Sequence, residues 1–182
     1  MEQGAYDQRC RISIWTCEDT RPLSARNDVL VFQTEPLAQD LEVTGRLIVK
    51  LWASSNAPDT DFTAKLIDVY PPSKDFPDGV ELNIGDSIVR GRYRNSLEYA
   101  EMMKPGEVYS FTIEMYPTSL VFKKGHRIRV DMSSSNFPRF DVNPNTGEPL
   151  NDNRRWAVAT NTIYHDAQHP THILLPVIPP GK

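Results

Sequence analysis

Three histidines lie close together near the carboxyl end of the chain, in a pattern that could bind a metal. His165, His169 and His172 fall within the segment HDAQHPTH, and imidazole is a common zinc ligand. On a helix His165 and His169 would share a face, but Pro170 and the strand-like sequences on both sides disfavour a helix. We therefore interpret the segment as a polar hairpin loop and expect no metal site in it.

No serine has the sequence context of a serine-hydrolase nucleophile. An α/β-hydrolase carries that serine in G-x-S-x-G, at a sharp turn from a strand to a helix. Ser87 follows a glycine in GDSIV but opens a strand, and the three serines at 133–135 have no such turn. We predict that this chain holds no catalytic residue and no cofactor, and that it has no hydrolytic activity by itself.

Asp59 and Asp61 form a second group that could bind an ion. They stand in APDTDF, and carboxylate oxygens are ligands that calcium accepts. The same D-x-D spacing is common in turns, where aspartate accepts hydrogen bonds from nearby backbone N–H groups. We therefore predict a structural role, in polar pairing, for both residues.

A long polar loop covers residues 133–150, SSSNFPRFDVNPNTGEPL. We predict a structural loop at an inter-domain end, with a direct substrate-binding loop as the alternative. Phe137 and Phe140 are expected to plug that end, since burying each side chain contributes about 1.5–3 kcal/mol. Arg139 should point the other way and pair with Asp61 or with a residue of a neighbouring domain. The residues assigned to this loop are Asn136, Phe137, Arg139, Phe140 and Asn143.

The elements that must position these residues are strands. In TGRLIVKLWAS, VYSFTIEMY and RIRVDM, apolar residues recur at every second position, with charged and polar residues on the other face, which predicts strands with one face on a core and one in water. Some eight strands without long helices between them favour an all-β fold of two antiparallel sheets, a sandwich or jelly roll. Only residues 95–103 could form a helix. The predicted strands are 28–34, 44–54, 61–70, 86–93, 108–116, 127–132, 157–165 and 171–177.

Length and composition restrict the possible partners. The 182 residues suit one domain, predicted as a lead-in segment over 1–27 and the sandwich over 28–182. A net charge of −4 argues against nucleic acid and anionic membranes as partners. No signal peptide or membrane span is recognisable, which favours the cytoplasm. Cys10 and Cys17 are expected to be free thiols. The sequence leaves open whether the protein forms an oligomer.

Seven long blocks of sequence, in their order, resemble those of one protein family. They are AYDQR, NDVLVFQTEPLAQDLEVTG, LWASSNAPDTDFTAKLIDVYPPS, GRYRNSLE, KPGEVYSFTIEMYPTS, FKKGHRIRVDMSSSNFPRFDVNPNTGEP and ATNTIYHDAQHPTHILLPVIP. The family is the C-terminal, non-catalytic domain of the X-prolyl dipeptidyl peptidase and cocaine esterase group of serine hydrolases, also called acyl esterases. The likeness runs from about Ala5 to Pro179.

The resemblance implies a jelly-roll β-sandwich of the galactose-binding-like type, with at most one or two short helices. It also implies that the catalytic Ser, Asp and His belong to a preceding α/β-hydrolase domain with a helical cap. That domain is the expected partner. The implied function is to brace it, in a hydrolase of esters, acyl-amides or X-Pro peptides, and to form one wall of its active-site entrance.

Two other functions stay open at this point. The first is a free-standing jelly-roll module that binds a carbohydrate or another ligand, for which a small aromatic platform would be expected. An accessory domain should instead expose a large apolar patch. The second is a metal-dependent enzyme on a cupin-like barrel, which the clustered loop histidines fit poorly.

Overall fold

The chain folds into a sandwich of two antiparallel β-sheets. The computed structural model describes residues 22–179, and within them there are two three-residue 3₁₀-helices and no α-helix. The predicted all-β class and the small helix content are confirmed, whereas the galactose-binding-like type stays a prediction. The 3₁₀-helices are η1 (Leu23–Ala25) and η2 (Gly91–Tyr93). The strands are β1 (Leu30–Gln33), β2 (Leu41–Ser55), β3 (Asp61–Tyr70), β4 (Val80–Arg90), β5 (Tyr109–Phe122), β6 (Arg127–Ser133), β7 (Asn161–Tyr164), β8 (His172–Leu174) and β9 (Val177–Ile178).

The core lies between the inner faces of the two sheets. One sheet has the strand order β1-β6-β3-β4, and in the other β2 pairs with β5 on one side and with β7, β8 and β9 on the opposite side. Phe62 of β3 meets Phe111 of β5 across the interior, with ring centroids 4.7 Å apart. The apolar side chains buried around these two rings include Val43, Leu47, Val49, Leu51, Leu66, Ile113 and Phe122.

β5 has a bulge opposite the start of β2, where Gly45 of β2 lies close to Pro176. The register between β2 and β5 shifts between Gly45 and Leu47, and Gly45 has a φ of 139°, which favours glycine. A Cβ on Gly45 would lie 2.8 Å from Cγ of Pro176. The bulge and Pro117 interrupt the alternation of β5, so the predicted strand ended at 116 whereas β5 continues to Phe122.

β7, β8 and β9 are three pieces of one interrupted edge along β2. Tyr164 lies opposite Trp52, His172 lies opposite Lys50, and β9 pairs farther along in the same direction. Residues 165–171 therefore form an excursion out of one edge. His165 and Pro170 form an antiparallel bridge, so the chain turns back on itself inside this excursion, as the predicted hairpin loop at HDAQHPTH requires, although β7 and β8 run in the same direction along β2.

The polar face of β6 is buried, contrary to the prediction that it faces water. Arg129 and Asp131 are both almost completely buried. Their side chains form an ion pair at 2.9 Å, and Arg129 forms another with Glu81 at 2.9 Å. Because β6 lies between β1 and β3, its charged residues pair within the outer face of the sheet. Alternation identified the strand correctly but did not reveal that both faces are covered.

β4 begins earlier than the sequence pattern indicated. It starts at Val80, whereas the predicted strand began at 86. The register against β3 shifts where Gly85 faces Leu66 and Asn83 faces Ile67, so one residue of β4 is left without an opposite partner. A bulge of this kind breaks the period of two, which hides the first half of the strand from a pattern-based prediction.

Candidate functional site

Three loops meet at one end of the sandwich, where β2, β4 and β6 end and β3, β5 and β7 begin. We call these loops the loop end; they are residues 56–60, 91–108 and 134–160. Backbone hydrogen bonds join them directly. The N–H of Met103 donates to Pro58 O at 2.8 Å, and the N–H of Asn56 donates to Thr160 O at 3.2 Å. The loops therefore form one connected structure.

Asp59 and Arg92 form a buried ion pair that ties the first loop to the second. Arg92 Nε donates to Asp59 Oδ2 at 2.7 Å, and the backbone N–H of Arg92 donates to Oδ1 at 2.8 Å. Arg92 Nη2 also donates to the carbonyl of Glu148 at 2.9 Å, which fixes the third loop. The close approach requires Gly91, because a Cβ there would lie 2.6 Å from Sδ of Met103.

Asp61 and Arg90 form a second ion pair beside the first. Arg90 donates through Nε and Nη2 to the two carboxylate oxygens of Asp61, each at 2.9 Å. Asn143 bridges the pairs, since its amide donates to Asp61 Oδ1 at 2.8 Å and to Asp59 Oδ2 at 3.0 Å. Burial raises the pKa of Asp61, while the hydrogen bonds from Arg90 and Asn143 act in the opposite direction.

Two buried amides, not two phenyl rings, hold the loop of residues 134–160 against the sandwich. Asn136 and Asn143 are almost completely buried, and Asn136 Nδ2 donates to Asp86 Oδ2. Phe137 is 53% exposed, so the prediction that it plugs the domain is wrong. Phe140 is half-buried. The inward position is taken by the amide of Asn136, whose partner is a carboxylate, and the neighbouring phenyl ring points outward.

Arg139 pairs with Asp86 of β4, at 2.5 Å between Nη1 and Oδ1. Asp61, one of the two partners predicted for it, is already occupied by Arg90. The guanidinium of Arg139 also lies 5.4 Å from the centre of the Phe140 ring. Asp86 therefore accepts hydrogen bonds from both Asn136 and Arg139. Together with the bonds of Asn143 to Asp59 and Asp61, these contacts fix the loop to the sandwich.

The residues predicted as a helix, 95–103, form an extended loop with bends. The Arg94 guanidinium donates to the backbone carbonyl of Glu101 and to its carboxylate, both at 2.5 Å. Asn95 Nδ2 donates to the same carboxylate at 2.8 Å, and the N–H of Glu101 donates to Arg92 O at 2.8 Å. Side-chain hydrogen bonds of this kind compete with helical pairing, and the one segment that could have formed a helix is not helical.

Large apolar side chains are exposed on the loop end. Of the 17 that are exposed within residues 22–179, eight lie on two of its loops. Leu97 and Val158 are the most exposed, at 89% and 92%. The two loops meet where Gly147 lies beside Pro58 and Met102. The eight residues are Leu97, Tyr99, Met102, Phe137, Val142, Leu150, Trp156 and Val158.

The three histidines do not converge. His165 makes an edge contact with the ring of Phe32, whereas His169 contacts Trp52 and Tyr164 on the outer face of the sheet. Within residues 22–179, no group of three His, Cys, Asp or Glu side chains is placed to hold a metal. In that part of the chain, no helix is long and apolar enough to cross a membrane. Cys10, Cys17 and most of the predicted lead-in segment lie outside the described residues.

Sequence reasoning missed Arg90, Arg92 and Asp86. A usable signal was present, because RGR at 90–92 has the same spacing as DTD at 59–61. Strands that pair antiparallel with Asp61 opposite Arg90 bring the two motifs together. To recognise this pairing from the sequence, one would need the register between β3 and β4, and the bulge in β4 obscures that register.

The described part of the chain is therefore a β-sandwich whose loops are joined by buried ion pairs and carry exposed apolar side chains. Comparison with known proteins identifies its family. Residues 2–174 match the family described as the X-Pro dipeptidyl-peptidase C-terminal non-catalytic domain. The chain belongs to this family.

The relatives are larger hydrolases. The chain is 46% identical over 162 residues to cocaine esterase from Rhodococcus sp. (strain MB1 Bresler), covering 88% of this chain and 27% of that protein. It resembles the solved structure of an α-amino acid ester hydrolase at a TM-score of 0.84 and 34% identity, covering 96% of this chain and 27% of that one. An aminopeptidase from a Thaumarchaeota archaeon gives a TM-score of 0.83 at 33% identity, covering 97% and 32%. This chain therefore spans about a third or less of each relative.

Proposed function

We propose that this chain braces the catalytic α/β-hydrolase domain of a serine hydrolase acting on esters, acyl-amides or X-Pro peptides. The docking surface is the loop end, which also forms one wall of the active-site entrance. The observation that supports this most is the set of eight exposed apolar side chains on two contiguous loops. An exposed apolar group of this kind is typical of an interaction surface.

The buried ion pairs explain why these loops can serve as a docking surface. Asp59, Asp61 and Asn143 fix the loops to each other and to the strands. The apolar side chains are thus presented from ordered backbone, so little conformational freedom is lost when a partner binds. A carbohydrate-binding module is not favoured by the comparisons, whose named relatives are hydrolases and a peptidase.

Reconstitution with a related catalytic region tests the proposal. The full chain is mixed with Rhodococcus cocaine esterase from which the similar C-terminal region has been removed, and association is measured by analytical ultracentrifugation. We expect a complex. The double substitution Trp156→Ser and Val158→Ser should weaken it at least about a hundredfold, because two large apolar contacts worth about 1.5–3 kcal/mol each are lost.

The matched control is Tyr116→Ser on β5. Tyr116 is 76% exposed, slightly more than Trp156 at 67%, but it lies outside the loop end. It should leave association unchanged. Equal weakening by the control and by the double variant, or no complex with the parent chain, would refute docking through the loop end.

The entrance wall is tested in the same complex by ester hydrolysis. Phe137→Ala removes an exposed ring from the loop end, and we expect it to raise KM while kcat stays unchanged, because the ring would contact substrate without taking part in the chemistry. If KM is unchanged in both Phe137→Ala and Tyr99→Ala, the loop end does not form a wall of the active-site entrance. The proposed bracing role would not be affected by that result.

A further inference from the structure

A cavity of about 360 Å³ opens between the two sheets, on the side of β1 and β8. Its lining is mostly apolar and comes from both sheets. Val49 and Met132 are buried core residues that form its inner part. Phe32 and Ile173 lie nearer the open side, where β1 and β8 form the sheet edges. The cavity is separate in position from the loop end.

Two histidines line this cavity, and His165, an exposed residue at its open side, supplies the available polar side chain. His172 lies opposite Lys50, and its Nδ1 is already hydrogen-bonded to the carbonyl of Pro170. Its neighbour Tyr164 pairs with Trp52 on the outer face of the sheet, so alternation directs His165 to the space between the sheets. Its ring meets the edge of the Phe32 ring at 6.0 Å. Within residues 22–179 the His165 ring makes no hydrogen bond, whereas the Thr171 hydroxyl, also in the lining, already donates to Tyr164 O and accepts from Trp52 N.

We propose that this cavity binds a small carboxylic acid with an apolar body, the carboxylate meeting the imidazole of His165. The size favours a single ring with a short alkyl chain, because an apolar cavity of about 150 Å³ holds one benzene and this one is 360 Å³. The lining contains no Asp, Glu, Lys or Arg. Since the ionisable residues of the lining are two histidines, His165 and His172, an anionic end group is favoured over an ammonium group.

Binding is tested by nuclear magnetic resonance on the full chain with labelled methyl groups of Met, Ile and Val. The probes are phenylbutyrate and its uncharged analogue phenylbutanol. We expect both to shift the methyl signals of Met132, Ile173 and Val49 in a saturable way. The methyl of Met115, a core residue outside the cavity lining, should not move.

Three variants distinguish the contribution of the cavity from that of its polar group. Ile173→Trp should abolish binding of both probes by filling the cavity, whereas Leu174→Trp, on the same strand but outside the lining, should leave binding intact. His165→Ala should weaken phenylbutyrate about tenfold, as the loss of a charge-assisted hydrogen bond predicts, and should leave phenylbutanol nearly unchanged.

Three results would overturn the proposal. The first is the absence of any saturable shift in the parent chain at millimolar probe. The second is a set of shifts centred away from Met132, Val49 and Ile173. The third is equal weakening of both probes by His165→Ala, which would show that the imidazole does not recognise the carboxylate.

Discussion

Replacing Asp59 with asparagine should destabilise the domain strongly. The substitution keeps the shape of the side chain but leaves the guanidinium of Arg92 buried without its counter-charge, because Asp61 is already engaged by Arg90. Removing one partner of a buried ion pair costs about 3–5 kcal/mol. For a chain of this size each kcal/mol lowers Tm by about 2–4 °C. We therefore expect Tm to fall by roughly 6–20 °C.

A chemically matched control isolates the effect of burial. Asp40 accepts hydrogen bonds from Lys123 Nζ and from the backbone N–H of Lys124, each at 2.8 Å, so it has the same two kinds of donor as Asp59. Asp40 and Lys123 are both largely exposed. Because exposed ion pairs contribute little, Asp40→Asn should change Tm by no more than about 4 °C.

The assay is thermal and urea unfolding of the full chain, followed by tryptophan fluorescence and circular dichroism. Both probes should give coincident transitions in each variant. If Asp59→Asn lowers the stability no more than Asp40→Asn does, the ion pair with Arg92 does not hold the loop end together. A loss confined to Asp59→Asn, with the slope of the urea transition unchanged, supports the reasoning.

Two further measurements follow from the same structure. Phe137→Ala should lower the free energy of unfolding by less than about 1 kcal/mol because the ring is largely exposed, whereas Phe111→Ala in the core should cost about 3–5 kcal/mol. Similar losses in the two variants would show that Phe137 is buried in the sandwich after all. The pKa of Asp61 is raised in the folded state, so its protonated form is the one that folding favours. The parent should therefore lose stability relative to Asp61→Asn as pH rises above about 4. The pKa of Asp40 is lowered by its bond to Lys123, so the parent should gain stability relative to Asp40→Asn as pH rises through values below about 4. Urea titrations across pH check both signs, and slopes of the same sign would contradict them.

The fold was largely predictable because regular strands obey a local rule. In β2, Leu47, Val49 and Leu51 fall on one face because the period is two, and all three lie in the core. The strand at 61–70 agrees at both ends with β3. Prediction of strand ends failed where the period of two was interrupted, at the bulges of β4 and β5. A bulge shifts the side-chain pattern by one residue without leaving a mark in composition.

The loop end was predictable in outline but not in its contacts. The sequence 133–150 shows that a loop must lie there, yet burial in such a segment depends on partners far away in the chain. Phe137 was expected inside on hydrophobicity alone, and Asn136 took the inward position because Asp86, fifty residues earlier, supplies an acceptor for its amide. A buried amide with a charged acceptor satisfies a hydrogen bond that a phenyl ring would leave unmade.

The charged network also explains why this end of the domain can carry exposed apolar side chains. A loop fixed by an apolar core would have to turn its large hydrophobic residues inward, leaving few for an interface. Here Asp59, Asp61, Arg90, Arg92 and Asn143 fix the loops instead. The apolar side chains are thereby left free to face a partner. The two roles are therefore separable by mutation: changes in the network should act on stability, and changes in the exposed apolar residues should act on association.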